Sequence, residues 1–309
     1  MHITVTEIEK SYATVSAVCG VSFTINTGEI FALLGPNGAG KSSIIRMLVG
    51  MTRPDRGTIV VTHQQAHYDH VPRRYLGYLP EDRGLYPDKS VEKNLLYLAQ
   101  LHGLSKAQAQ QEMDHWLAIF ELTERRKEDL KQLSKGNQQK VQLIAAVIHK
   151  PALVILDEPF SGLDPINQEK VVEFLKTLRA KGMTVILSAH QMAMVEKLAD
   201  RMLLMAKGQV VLAGTLMDIK QQAQPKPVVV IETQQAITAV QLATLLPDYT
   251  VSLQSEHRFS VALPTTAMLS TCLQTLLNEF TVQSVSMQNP DLHQLYLTAM
   301  SAHQQEEIA

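Results

Sequence analysis

The sequence predicts an α/β fold built on a parallel sheet, followed by a smaller α+β unit, and three observations carry that prediction. The runs Ala152-Leu153-Val154-Ile155-Leu156 and Met183-Thr184-Val185-Ile186-Leu187 are short, continuous and rich in branched residues, as strands covered on both faces are. Helical patterns alternate with them: apolar Val171, Val172, Leu175 and Leu178 in one segment, and Met192, Val195 and Leu198 in a segment ending at Ala199. The polar stretch 221–227, with two prolines, then separates this part from a second, complete series of strands and helices.

Taken in chain order, Ile3-Thr4-Val5-Thr6 and Val21-Ser22-Phe23-Thr24-Ile25 alternate as half-buried strands do, with turn chemistry at Asn26-Thr27-Gly28. They read as antiparallel strands feeding the run Ile30-Phe31-Ala32-Leu33-Leu34, and Gly57-Thr58-Ile59-Val60-Val61 and Tyr75-Leu76-Gly77-Tyr78-Leu79 read alike. Residues 90–150 turn helical, with Val91, Leu95 and Leu98 behind a Ser90 cap, then Met113, Trp116, Leu117 and Phe120 on a second face. A Lys207-Gly208 hairpin joins strands 201–206 and 209–213. Beyond the break the order is strand 228–233, helix 235–246, strand 249–254, strand 258–263, helix 266–279 and strand 281–287, a ferredoxin-like split βαβ. A last helix starts at Asn289 as cap with Pro290 in its first turn, presenting Leu292, Leu295 and Tyr296 on one side. The expected organisation is therefore a domain over 1–220 with a helical subdomain at about 90–150, a linker at 221–227, and an accessory α+β domain over 228–309.

Composition narrows the function classes. A content of 45% hydrophobic and 19% charged residues is that of a soluble globular chain, and a formal charge of −2 exerts no general pull on nucleic acid, so no nucleic-acid partner is expected. Cys19 and Cys272 stand far apart without metal-ligand spacing, which reads as a reduced, intracellular protein without a disulfide. The first residues alternate like a strand, with neither a basic leader nor an apolar secretion core. No run approaches the roughly 20 apolar residues of a membrane-crossing helix, so work at a membrane requires another chain to span it. His63, His67 and His70, with Asp69 among them, lie in a polar insert and are not read as a metal site; Arg73-Arg74 reads as a solvated or subunit-facing pair.

The chemistry starts at Gly35-Pro36-Asn37-Gly38-Ala39-Gly40-Lys41-Ser42, a complete G-x-x-x-x-G-K-S loop between an apolar run and the helix-like Ser43-Ile44-Ile45. Glycines let bare backbone N–H groups curl around an anion, and the helix that starts there adds the positive end of its dipole. Lys41 then lies against the β- and γ-phosphates of a nucleotide and the Ser42 hydroxyl ligates Mg²⁺. Leu153-Val154-Ile155-Leu156-Asp157-Glu158 is an apolar strand ending in two carboxylates, where a parallel sheet presents catalytic groups. Asp157 can hold Mg²⁺ directly or through water, and Glu158 can take a proton from, or orient, the water that attacks the γ-phosphorus.

Leu133-Ser134-Lys135-Gly136-Asn137-Gln138-Gln139 makes the reading specific. With this segment the sequence resembles the ATP-binding cassette (ABC) ATPases, whose signature loop sets a serine and glycine N–H groups at a helix N-terminus against the γ-phosphate held by a partner subunit. The resemblance covers residues 1 to about 220 and implies a P-loop NTPase fold of parallel-sheet core, antiparallel β subdomain and helical subdomain. It implies that Ser134 and Gly136 are contacting residues, that Tyr12 stacks on adenine, and that Ser161-Gly162-Leu163-Asp164 passes between subunits. His190, in Leu187-Ser188-Ala189-His190, then touches the γ-phosphate. Lys135 and Asn137 depart from the usual glycine and glutamine. Glu81 stands where many such ATPases place a metal-contacting glutamine that couples to the transmembrane subunit; it can accept from a metal-bound water but cannot donate. The run Pro80-Glu81-Asp82-Arg83-Gly84-Leu85-Tyr86-Pro87 is similar to a branch of exporter ATPases, including sodium and drug efflux systems, that carry a small C-terminal domain.

What the resemblance implies is an ATP-hydrolysing subunit binding ATP and Mg²⁺, closing as a homodimer through the nucleotide sites on the inner face of the cell membrane and driving a separate permease. The cargo is left open. A cassette acting on ribosomes or DNA is the alternative, although the second cassette or long coiled coil usual in such relatives does not appear here. A role for residues 227–309 as dimer brace or ligand sensor is a third reading.

Overall fold

The computed structural model describes residues 1–81, 84–223, 227–264, 268–288 and 290–308, with side chains up to residue 301. The chain divides into two compact units, one built from Met1–Ile219 together with the segment from His303 onward and the other from Lys220–Ala302.

The first unit opens with β1 (His2–Tyr12) and β2 (Val15–Ile25), followed by β3 (Ile30–Leu34) and helix α1 (Lys41–Leu48). Then come β4 (Arg56–His63), β5 (Ala66–Tyr68) and β6 (Leu76–Leu79). The helices α2 (Val91–Leu101), α3 (Lys106–Ile119) and α4 (Lys135–Val147) form the helical stretch. After it run β7 (Leu153–Asp157), α5 (Pro165–Ala180), β8 (Thr184–Ala189), α6 (Met192–Glu196), β9 (Arg201–Ala206), β10 (Gln209–Gly214) and α7 (Leu216–Ala223). The apolar alternation of β1, β2 and β4 builds an antiparallel sheet in the order β2-β1-β4-β5. The continuous apolar strands build a second sheet, β10-β9-β3-β8-β7-β6, parallel except for the edge strand β10. Every residue of β3, β7 and β8 is buried, as strands covered on both faces require.

Ser90 caps α2 by accepting from the Lys93 amide, and Ser105 with Gln108 closes a capping box on α3. Trp116 and Phe120 meet Phe174 of α5 edge-on, with ring centroids 5.2 and 5.0 Å apart.

Two expectations change here. Residues 75–79 were grouped with the antiparallel strands, but β6 lies parallel to β7, with Leu76 opposite Leu153 and Leu79 opposite Leu156. The misleading gap in its apolar pattern is Gly77, where a Cβ would sit 2.0 Å from the Ala146 carbonyl oxygen of α4; glycine there admits close helix packing and marks no solvent face. The second change concerns the linker, because α7 continues through Ala223. Residues 224–226 of that expected linker lie outside the described residues.

The second unit contains β11 (Val228–Thr233), α8 (Ala239–Leu245), β12 (Thr250–Ser255), β13 (Arg258–Ala262), α9 (Leu269–Glu279), β14 (Val282–Gln288) and α10 (Leu292–Ile308). Its sheet has the order β12-β13-β11-β14, and its three neighbour pairings are antiparallel, which places β13 between β11 and β12 as a split βαβ. Val229, Ile231, Phe259, Val261, Cys272 and Leu276 form its core. Helix α8 starts later than residue 235, because Thr238 and Gln241 form its capping box while Gln234 and Ile237 bond to Thr281 and Glu256 outside the helix. The expected cap Asn289 lies outside the described residues; Asp291 accepts from the Gln294 amide at 2.8 Å, and Leu292, Leu295 and Tyr296 are buried.

Candidate active site

Strand order explains why the chemistry converges. β3, β8 and β7 are consecutive neighbours in the large sheet, so the segments that leave their C-terminal ends emerge side by side. The loop after β3 needs glycine at two places. Gly35 (φ +147°) and Gly40 (φ +102°) occupy backbone conformations that side chains rarely adopt. A Cβ would lie 2.3 Å from the Met205 carbonyl oxygen at Gly35 and 2.3 Å from that of Ala17 at Gly40. The loop is thus pressed against β9 and β2.

Helix α1 begins at Lys41, whose buried ammonium donates to the Gly35 and Pro36 carbonyl oxygens at 2.7 and 3.1 Å. Burial lowers the Lys41 pKa, and the carboxylates of Glu158, Asp157 and Glu81 oppose that shift. An open cleft of about 420 Å³ is lined by Asn37, Gly38, Ala39, Gly40, Lys41, Ser42, Ser43, Glu81 and Glu158, with Val15 and Ala17 from β2.

At the tip of β7, Asp157 is buried and lies opposite Ser188 of β8. The Ser188 hydroxyl donates to Asp157 Oδ1. The Glu158 amide donates to the Ser188 hydroxyl at 3.1 Å and to its carbonyl at 3.2 Å, holding Glu158 at φ +53°. His190, directly after β8, places Nδ1 2.9 Å from Glu158 Oε2, so the end of β8 and the residue that follows it contact both acidic residues. Ser188 was not singled out from the sequence; the available signal was its place two residues before His190 on a strand paired with β7. Burial, then the nearby Asp157 carboxylate, raises the Tyr78 pKa behind this tip.

Other expected residues stand outside the cleft lining. Tyr12, at the end of β1, is 38% exposed, with Lys10 Nζ 5.6 Å from its ring centroid. Ser134 is the N-cap of α4 and accepts from the Asn137 amide at 3.3 Å. Gly136 faces Leu163 and Gly162, and Gln139 Nε2 donates to the Pro159 carbonyl at 3.2 Å, tying α4 to the loop after Glu158. Asp164 is the N-cap of α5, with Pro165 in the first turn. Its hydrogen bonds from Asn167 hold its carboxyl below the usual carboxylate range.

The oxygen donors fit a magnesium ion shared with phosphates. Mg²⁺ takes one or two carboxylates and otherwise keeps water or phosphate oxygens. Ser42, Asp157 and Glu81 supply a hydroxyl and carboxylates of that kind near Lys41. Among the described residues no group of three or more His, Cys, Asp or Glu converges as a self-sufficient metal cage. In the polar insert His70 pairs with Asp69 at 2.7 Å, and His67 Nδ1 lies 3.1 Å from Thr62 Oγ1.

Comparison with known proteins agrees with this geometry. Residues 18–161 match the ABC transporter family. The chain is 41% identical over 228 residues to the uncharacterized ABC transporter ATP-binding protein YhaQ of Bacillus subtilis, covering 74% of this chain and 76% of that one. It is 31% identical over 296 residues to the linearmycin resistance ATP-binding protein LnrL of Bacillus subtilis, covering 94% and 95%. A solved structure of an ATP binding subunit of an ABC transporter superposes with a TM-score of 0.65 at 34% identity, covering 72% of this chain and 93% of its own. On these grounds the chain belongs to the ABC transporter ATP-binding proteins and is an ATPase of that family.

Proposed function

We propose that the chain is the ATP-hydrolysing subunit of an exporter, working as a pair of copies on a separate membrane-spanning permease. The observation that carries this reading is the separation of the signature turn from the cleft. Residues 37–43, Glu81 and Glu158 line one cavity, whereas Ser134 and Gly136 do not. A second copy is then needed to present Ser134 and Gly136 to the nucleotide. Among the described residues no helix is long and apolar enough to cross a membrane, which agrees with a peripheral place on the permease.

The residues divide the work. Backbone N–H groups of residues 37–42 and the Lys41 ammonium bind phosphate oxygens. Ser42, Asp157 and Glu81 would hold Mg²⁺, which when bound neutralises phosphate charge. Glu158 accepts the proton of the attacking water, and His190 orients that carboxylate through their 2.9 Å contact. One segment also borders two cavities: Glu81 lines the nucleotide cleft, while Tyr78, Leu79, Pro80, Gly84 and Leu85 line a neighbouring apolar groove of about 340 Å³. That adjacency supports the groove as the permease contact. Resistance function in LnrL supports export.

The test is Glu158→Gln in the full chain. ATP binding is retained and turnover falls by roughly 10²-fold or more, because an amide cannot take the water's proton. A turnover equal to that of the unaltered protein removes Glu158 from the chemistry and overturns the site assignment.

A further inference from the structure

The strand tip carries a residue that the proposed chemistry has not used. Ser188 is fully buried, sits in register with Asp157, and is the point where three hydrogen bonds meet. Its hydroxyl donates to Asp157 Oδ1 and accepts from the Glu158 amide, and its carbonyl accepts from the same amide. Among the described residues no other group is hydrogen-bonded to the Asp157 carboxylate, so one of its oxygens is engaged and the other faces no competing donor.

The Glu158 backbone needs this support. A non-glycine residue at φ +53° is disfavoured, and such a conformation persists only where neighbours over-determine it. The two acceptors on Ser188 fix the peptide N–H that enters this conformation, and His190, the residue directly after β8, fixes the far end of the Glu158 side chain. One residue of β8, Ser188, thereby holds the Asp157 carboxyl and the Glu158 backbone together.

We propose that Ser188 is a positioning residue of the ATPase: its hydroxyl presents Asp157 to the metal through a single oxygen and holds Glu158 in the backbone conformation that aims its carboxylate at the attacking water. The proposal rests on the assignment of Asp157 and Glu158 under the proposed function. Ser188 is not among the residues that line the cleft and acts through Asp157 and Glu158, so its removal leaves nucleotide affinity without divalent cation within about threefold while lowering kcat and metal affinity. Loss of a group that orients a metal ligand costs about 10- to 100-fold in either quantity.

The experiment compares Ser188→Ala, Ser188→Cys and Ser188→Thr in the full chain. Alanine lacks the hydroxyl, cysteine nearly keeps the volume with a poor donor, and threonine restores donor and acceptor. Three quantities are read: kcat and KM for ATP at saturating Mg²⁺, nucleotide affinity by fluorescence titration without divalent cation, and Mn²⁺ affinity by electron paramagnetic resonance in the presence of ATP. The last is measured in the Glu158→Gln background, where the complex does not turn over. The expected result is a 10- to 100-fold loss in kcat and in Mn²⁺ affinity for alanine and cysteine at near-constant metal-free nucleotide affinity, with threonine within about threefold of the unaltered chain. Should Ser188→Ala fail to fold, Ser188→Cys carries the same expectation. Full turnover and unchanged Mn²⁺ affinity in the cysteine variant, while Glu158→Gln remains impaired, overturn the role of Ser188 alone. Full turnover in Glu158→Gln overturns the site assignment beneath it. An equal loss with threonine makes the site a packing position and also overturns the proposal.

Discussion

Replacing Gly40 with alanine measures how tightly the phosphate loop is held. Two costs can be worked from the geometry. The backbone at φ +102° lies in a region where a Cβ adds about 1–2 kcal/mol. The new methyl also falls 2.3 Å from the Ala17 carbonyl oxygen and 3.4 Å from its carbon. Ordinary contact is about an ångström longer, and forced overpacking of this kind costs about 1–3 kcal/mol. The obstacle is backbone, and it cannot rotate aside as a flexible side chain would. The Cys19 amide also donates to the Gly208 carbonyl at 2.9 Å, and the Gly208 amide to that of Ala39 at 3.2 Å, bracing β2 and the loop together. If the loop yields, about 2–5 kcal/mol is lost from the conformation that binds phosphate, equivalent to roughly 30- to several thousand-fold in nucleotide affinity. The assay is a fluorescent-nucleotide titration beside a thermal melt. Gly28→Ala is the control, since it shares a positive φ (+78°) but has nothing within 4 Å of the new Cβ. It is expected to cost about 1 kcal/mol of stability and no affinity. A Gly40→Ala protein that binds nucleotide within threefold of the unaltered chain would refute the close-approach reasoning.

The remaining expectations address other parts of the molecule. His149 stacks on His102 with centroids 3.8 Å apart and donates from Nε2 to the Leu76 carbonyl, while burial, aided by the neighbouring His102, pushes its pKa down to about 4 from 6.5. The unfolded chain therefore binds the extra proton between these values. Its contribution is complete above pH 6.5 and is lost as pH falls towards 4, by at most about 3 kcal/mol and less after solvent screening of the part-exposed ring. Denaturant titrations across that window should show a flatter acid limb for His149→Gln; an identical limb rules the ring out as its source. Phe259→Ala empties the centre of the second unit, where the ring is fully buried, at a cost of about 3–5 kcal/mol. Calorimetry should show a transition moved to lower temperature with nucleotide affinity unchanged, and a matching loss of affinity would contradict a separately organised accessory domain.

Much of the candidate site could be assembled from the sequence because its residues come in short, contiguous segments. The loop at 35–42 needs only local backbone geometry, and Asp157-Glu158 at the end of an apolar strand needs only the rule that parallel sheets present groups at their C-terminal edge. Ser188 could not be recognised that way. Its meaning lies in its register opposite Asp157, and register between β7 and β8 is a relation between segments 31 residues apart. The same limit applies to Gly77, whose single missing side chain imitates a solvent-facing position until α4 is seen to pack on it. Helix starts were set by capping pairs such as Thr238 with Gln241 and Asp291 with Gln294, which compete with equally plausible caps a few residues away. Ser134 and Asp164 show a further ambiguity: each caps a helix within this chain, and capping and anion contact call on the same residue types at the same kind of position.

The charges around Lys41 give the proposed cycle its direction. One ammonium stands in the field of three carboxylates, Glu158, Asp157 and Glu81. A triphosphate arriving there adds further negative charge, and the N-terminus of α1 returns only about half a positive charge. At an effective dielectric near 20, a single pair of like charges about 6 Å apart already costs about 3 kcal/mol. Under the proposed function Lys41 and the loop amides offset only part of this repulsion, and a divalent cation, which Ser42 and Asp157 would hold, would supply the remaining positive charge. Glu81 in place of a neutral glutamine deepens that dependence, although its exposure lets salt screen part of the effect. The imbalance also acts after bond cleavage. Once the γ-phosphate separates, it is no longer anchored through the rest of the nucleotide, while the carboxylates of Asp157 and Glu158 stay fixed at the tip of β7. In the proposed cycle repulsion then favours the open pair, and the same acidity that would make binding depend on a cation would promote product release.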